Sequence, residues 1–299
     1  KDLKSGRVEL PFDGTLKGKL FGQEVKYIKK WIDLANEKGI GNEKIQALDK
    51  ISVEKLLKQG GAPNDIIELF SYLNATESTS VPSKMSGLSL VLNHVNTSGF
   101  SENTTEGRIM GGNDQLPKAF AKELGSKIKY DHAVKSVSIT PDGLEVDFST
   151  STNDYTIKGS KIVFAIPTTI LKTIKVHPAF TKEKSKSIQN QSYGHVMKIA
   201  MQFQKRFWDS NNSIGQRVFT DTPLRRIYHF SIDQPGPRGI LLSFTSGDDA
   251  RKLGKLSHKN CMKIAKQTCK EIWSQSDKYW ENGISKYWND DIWTKASYS

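Results

Sequence analysis

Long apolar runs are missing from this 299-residue chain. No stretch of about 18 consecutive apolar residues occurs, so no membrane span is expected, and Lys1-Asp2-Leu3-Lys4 has no apolar signal core behind it. Cysteine is scarce. Cys261 and Cys269 lie in a segment with helical spacing, about 12 Å apart by helical rise. A disulfide between them is therefore excluded, and compartment, cytoplasmic or secreted, stays open. HExxH, CxxC, GxSxG and the Walker loop are absent, which removes motif support for metalloprotease, zinc-site, hydrolase and P-loop chemistry. The six histidines (94, 132, 177, 195, 229, 258) are dispersed without ligand spacing, so no metal is expected. No GxGxxG follows a strand, so the chain carries no phosphate-cradling βαβ unit of its own.

Positive charge is in excess: 44 Lys and Arg against 32 Asp and Glu, a formal net charge of +12. Such a balance raises nucleic acid or an anionic membrane as partners. The lysines, however, are interleaved with acids, as in Lys182-Glu183-Lys184, and no nucleic-acid-binding motif accompanies them. Solvated helix faces, and no nucleic-acid partner, are the expectation. With 36% hydrophobic residues the chain can bury a core in one large or two ordinary domains. It opens without Met and stops at Ser299 inside an aromatic-rich stretch, so it is expected to be an internal fragment.

Periodicity divides the chain. Residues 16–75 read as helices, with apolar residues at helical spacing in Tyr27, Trp31, Leu34 and in Val53, Leu56, Leu57. Ser52 with Lys55 is half a capping box, and Asn64 is a helix start. Residues 74–83 read as a loop. A second apolar patch at 88–95 leads into a polar loop ending at Glu106. Residues 115–124, with Pro117 in the first turn and Gly125 beyond the end, form a helix pattern. Alternating segments at 133–140, 144–148 and 155–158 around Pro141-Asp142-Gly143 predict a β-meander. The continuous apolar run 161–166 predicts a strand buried on both faces, and 168–190 is helical in parts. In 196–203, Met197, Ile199, Met201 and Phe203 alternate with Lys198, Ala200 and Gln202. Strands at 226–232 and 239–245 and a helix at 257–273 follow. The organisation is α+β, helices first and a mixed sheet later.

One stretch is specific. Arg108-Ile109-Met110-Gly111-Gly112-Asn113-Asp114-Gln115-Leu116-Pro117, followed by Ala119-Phe120-Ala121, resembles the segment of flavin-containing amine oxidases that reads roughly GGMDQLPxAFA. The Val134 strand, Phe164-Ala165-Ile166-Pro167, the Lys198 strand and Lys205-Arg206-Phe207-Trp208 follow in the order of that family. Trp293 to Ser299 is similar to the stretch before its C-terminal flavin motif. The resemblance implies a helical cap plus a mixed β-sheet substrate-binding domain, with a β-meander from the flavin domain. Residues 1–106 would be the cap, 107–167 the flavin-domain part, and 168–299 the remainder of the substrate domain. The main flavin motifs would lie before residue 1 and after residue 299.

The resemblance also implies site residues. Lys198 matches the lysine that holds a water near the flavin N5 atom; the bland alternative is an exposed sheet lysine. Val134 matches the position whose backbone reads the adenine edge of FAD, which any residue but proline could do. Arg108, Gly111 and Gly112 form a loop that approaches the flavin, or else a plain turn. Arg225-Arg226-Ile227-Tyr228-His229-Phe230 resembles the L-amino-acid oxidase segment whose tyrosine binds the substrate carboxylate. Tyr228 is the candidate and His229 its neighbour, and a strand lets only one of them face a pocket. The family's carboxylate-gripping arginine would lie before residue 1, so amino acid against simple amine stays open. The activity implied is FAD-dependent oxidative deamination of an L-amino acid or amine, with molecular oxygen as co-substrate and hydrogen peroxide as product. A homodimer is allowed, and the fragment alone is expected to fold but not to retain flavin. The alternatives are a polyamine or monoamine oxidase, and a binding domain that has lost its flavin.

Overall fold

The computed structural model describes residues 22–77, 79–95, 109, 111–209, 217–231 and 234–298. The chain divides into two compact units, one made of residues 1–98 and 192–299, the other of residues 99–191.

The helical part of the first unit is assembled from capped, amphipathic pieces: α1 (Val25–Lys38), α2 (Glu43–Gln46), α3 (Val53–Gln59), α4 (Asn64–Glu77) and α5 (Gly87–Val95). The Asn42 and Ser52 side chains accept from the amides of Lys44 and Lys55, satisfying helix-start donors that would otherwise go unpaired. The inward faces of these helices place Ile28, Ile45, Val53, Leu56, Leu57 and Val91 in one core, each worth about 1.5–3 kcal/mol of transfer free energy. Gly60 closes α3 against α1. A Cβ there would sit 2.1 Å from the Tyr27 carbonyl oxygen, so any side chain would force the helices apart. α4 runs on to Glu77, through residues whose polar composition suggests a loop, because adding a residue to a formed helix is far easier than starting one.

The remainder of this unit is a five-stranded antiparallel sheet of order β6-β7-β8-β5-β9. Its strands are β5 (Val196–Phe203), β6 (Arg217–Phe219), β7 (Arg226–His229), β8 (Gly239–Ser246) and β9 (Trp280–Tyr287). The alternation in β5 puts Met197, Ile199, Met201 and Phe203 into the core, under α9 (Gly247–Gly254) and α10 (His258–Ile272). Cys261 and Cys269 are buried on α10 and form no disulfide; burial pushes the Cys269 thiol up to about 12. β9 has no counterpart in the sequence reading. Glu281, Asn282, Gly283 and Lys286 are poor strand formers, and pairing with β5 overrides them.

The second unit holds α6 (Gln115–Leu124) and the meander β1 (Ala133–Thr140), β2 (Gly143–Ser149) and β3 (Asp154–Gly159). A short strand β4 (Lys175–His177) pairs parallel with β1, giving the order β3-β2-β1-β4. Residues 168–191, which include α7 (Thr168–Leu171) and α8 (Lys182–Asn190), therefore cluster with the meander, not with the later sheet. The expected strand at 161–166 is overturned. These residues form no strand, and Val163 is 86% exposed. An apolar run becomes a strand only when a neighbour satisfies its backbone, and none of the described residues does so.

Candidate active site

The register of the antiparallel sheet decides which side chains share its other face. Directly paired residues point the same way, so one row runs Phe219, Arg226, Phe244, Lys198, Lys286 across β6, β7, β8, β5 and β9. The next row holds Tyr228, Leu242, Ala200 and Ile284. Lys198 and Tyr228 thus lie on one face, on strands separated only by β8, which is about 9–10 Å from strand to strand. Lys198 is half-buried, with its Nζ 5.5 Å from the centre of the Phe244 ring. Its neighbour Lys286 donates to Asp291 Oδ2 at 2.9 Å.

His229 does not join this face. Its ring is buried against Trp208, 5.3 Å between centroids, with Nδ1 3.5 Å from Asp209 Oδ1. Alternation along β7 sends Ile227 and His229 toward the core and Arg226 and Tyr228 to the Lys198 side. Arg226 was not singled out from the sequence, since nothing in a run of two arginines tells which one is structural. In the fold Arg225 donates through Nε to Asp249 Oδ2 at 2.5 Å and lies over the Tyr72 ring. Arg226 is 0% exposed and donates through Nη1 to the Tyr228 hydroxyl oxygen at 2.6 Å. Just before β5, His195 Nδ1 lies 2.5 Å from the Tyr287 hydroxyl oxygen. Desolvation, with the Arg251 charge second, holds this imidazole below its usual value, and burial raises the Tyr287 phenol.

In the second unit Val134 sits beside a β-bulge, since Val134 pairs with Phe148 and Ser136 with Asp147. The parallel pairing with β4 begins only at Ser136, so on that side Val134 lies beyond the ladder. It lines an open cleft of about 670 Å³ together with Ser136, Asp147, Phe148, Tyr155 and Lys175. Hydrogen bonds from Thr156 and Ser136 hold Asp147 below the usual carboxylate range, and bonds from Ser149 and Lys135 do the same for Asp154. Gly111 and Gly112 have φ of 83° and 107°, and a Cβ on Gly112 would meet Asp114 Oδ1 at 2.9 Å. Glycine is thus required by the turn that opens α6 as well as by any close ligand. Arg108 lies outside the described residues.

Residues 34–299 match the family described as flavin containing amine oxidoreductase. The chain belongs to that family. Over 267 residues it is 24% identical to an L-amino-acid oxidase of Crotalus adamanteus, which covers 87% of this chain and 50% of that protein. An L-amino-acid oxidase of Demansia vestigiata is 27% identical over 166 residues, 55% of this chain and 32% of that one. Putrescine oxidase bound to putrescine superposes with a TM-score of 0.76 at 20% identity, covering 97% of this chain and 65% of that one. For cyclohexylamine oxidase from Brevibacterium oxydans IH-35A the TM-score is 0.73 at 15% identity, with coverage of 97% and 64%. At these identities the superpositions establish the fold, the α+β fold of flavin amine oxidases. The chain spans half the length of the Crotalus adamanteus relative. Within the second unit, Val134 offers backbone beyond a ladder end and the Gly111-Gly112 turn offers backbone without side chains.

Proposed function

We propose that this chain is the substrate-side portion of an FAD-dependent oxidase that deaminates an L-amino acid to the oxo product, ammonia and hydrogen peroxide. The observation that carries this reading is the shared sheet face of Lys198 and Tyr228. A bound flavin supplies the redox chemistry, accepting hydride from the amine-bearing carbon and delivering electrons to molecular oxygen. Lys198, half-buried beside Phe244, orients a water through its ammonium protons for attack on the imine or for service to oxygen reduction. The Tyr228 hydroxyl donates to the substrate carboxylate, a charge-assisted bond that a simple amine cannot make. Val134 contributes backbone groups to the adenine, and Arg108, Gly111 and Gly112 bring backbone to the cofactor. In this reading residues 1–106 and 168–299 serve the substrate and 107–167 the flavin, and the chain alone neither retains FAD nor turns over.

A second reading, an amine oxidase without need of a carboxylate, is favoured by the fold shared with putrescine oxidase. Expression of the full-length gene product, with its visible spectrum recorded and peroxide followed on L-amino acids and amines, separates the two. A yellow protein that prefers L-amino acids and slows by at least about 10²-fold as Lys198→Met supports the proposal. A colourless protein without turnover, or one as fast with the Lys198 variant, removes it.

A further inference from the structure

Lysines that stand three or four apart along the sequence gather into one row where the chain is helical. α10 turns Cys261, Ala265, Cys269 and Ile272 into the core, and Lys259, Lys263, Lys266 and Lys270 stay exposed, at steps of four, three and four residues. That spacing stacks them in a row about 16 Å long, and all four line one shallow depression on the surface. Lys270 is held by Asp277 at 2.9 Å. Lys259, Lys263 and Lys266 have no acidic partner among the described residues. The one acid of α10, Glu271, accepts from Gln267 at 2.8 Å instead. The helix is destabilised twice by this arrangement. Like charges at i and i+4, as in Lys259 with Lys263, repel, and the first turn carries no acid where the helix dipole favours one. An anion brought against the row from outside offsets both.

The chemistry of the row narrows the anion. All four residues are lysines, flexible stems ending in point charges, without the planar arginine fork that suits nucleic acid. No aromatic residue lines the depression for a base to stack on, and Trp280 is half-buried, with Lys266 Nζ 5.1 Å from the centre of its ring. The row stands on the outward side of a surface helix, where long stems let every ammonium group reach the same plane. We propose that the outward face of α10 docks on a bilayer surface carrying anionic lipid headgroups, with Lys259, Lys263 and Lys266 as the unneutralised charges that hold it there. The attachment is peripheral and reversible, since the row presents charge and not an apolar face. It is independent of the oxidase reading.

The test is co-sedimentation of the full-length protein with phosphatidylcholine vesicles that contain or lack phosphatidylserine. Binding is expected only with phosphatidylserine, and it should fall steeply as salt rises from about 0.1 M to about 1 M and screens the row. Lys259→Gln, Lys263→Gln and Lys266→Gln together should lower affinity by about 10²-fold, at about fivefold per lysine. Arginine at the same three positions keeps the binding. Lys44→Gln, Lys50→Gln and Lys55→Gln, which remove equal charge from exposed positions elsewhere in the first unit, should lower it by less than about threefold. All six positions are exposed, so each triple variant should unfold in urea at close to the wild-type midpoint. Sedimentation that does not depend on phosphatidylserine, or an equal loss in the two glutamine variants, overturns the inference. Tighter binding to a random DNA duplex than to the vesicles at the same salt also overturns it, and assigns the row to nucleic acid.

Discussion

Phe203 and Phe120 are both aromatic residues on amphipathic elements, one in each compact unit. Phe203 is wholly buried, edge-on to the rings of Phe207, Trp208 and Trp280. Phe120 is 60% exposed, and with Leu116 and Leu124 it makes an apolar stripe along α6 that nothing described covers. The same contrast holds throughout. Residues 1–98 with 192–299 contain two extensive cores, whereas in 99–191 the buried hydrophobic residues among those described are Val137 and Phe148. Amphipathic pattern says that a face is built to be covered; it does not say by what. Two cores fill the first unit, whereas in the second α6 and β3 keep Leu116, Phe120, Tyr155 and Ile157 largely in solvent.

The contrast can be broken most directly by truncation. Phe203→Ala should cost about 3–5 kcal/mol and Phe120→Ala less than about 0.5 kcal/mol, read by urea denaturation of this chain; similar costs would abolish the distinction. Hydrogen exchange should show amides of the exposed strand β3 opening at free energies about 2 kcal/mol or more below those of β5, which is paired on both sides. Gly60→Ala should destabilise the helical core by about 1–3 kcal/mol through overpacking against Tyr27, with the meander unaffected.

The smallest effect is a difference in acid response. The folded state holds His195 below its ordinary 6.5, so the unfolded chain protonates first as pH falls. That contribution is complete above about 6.5 and is lost as pH drops through the folded value. Asp147 and Asp154 are likewise depressed, but from 3.8, so their contribution to the meander is present above that value and is lost only in stronger acid. Every tryptophan lies outside residues 99–191, so Trp fluorescence reports the first unit alone. Between pH 7 and 5 urea should unfold the fluorescent unit more easily while the meander amides hold, and His195→Gln should flatten that slope. A pH response common to both units would contradict the assignment.

How much of this was legible beforehand differs from element to element. The side chains of β5 sort onto their faces from spacing alone, because a period of two admits one assignment once the apolar side is known. The helix cap at Ser52 was readable for the same local reason. Residues 161–166 misled because a continuous apolar run carries no period, and β9 escaped because its residues pair through backbone rather than propensity. In the candidate site, alternation showed that Tyr228 and His229 must part; it could not show which faces Lys198. Arg226 was invisible, since its hydrogen bond to Tyr228, two positions along, depends on a strand orientation that the sequence leaves open.

The sequence by itself determined what is local: the turns, the caps, the alternation within each strand, and the order of motifs that marks the family. The tertiary structure alone decided which strands pair and in what register. Those pairings join segments far apart in the chain, and their free energy comes from burial and backbone satisfaction that no single segment can supply. The placement of Lys198, Tyr228 and Arg226 on one face is a product of that register.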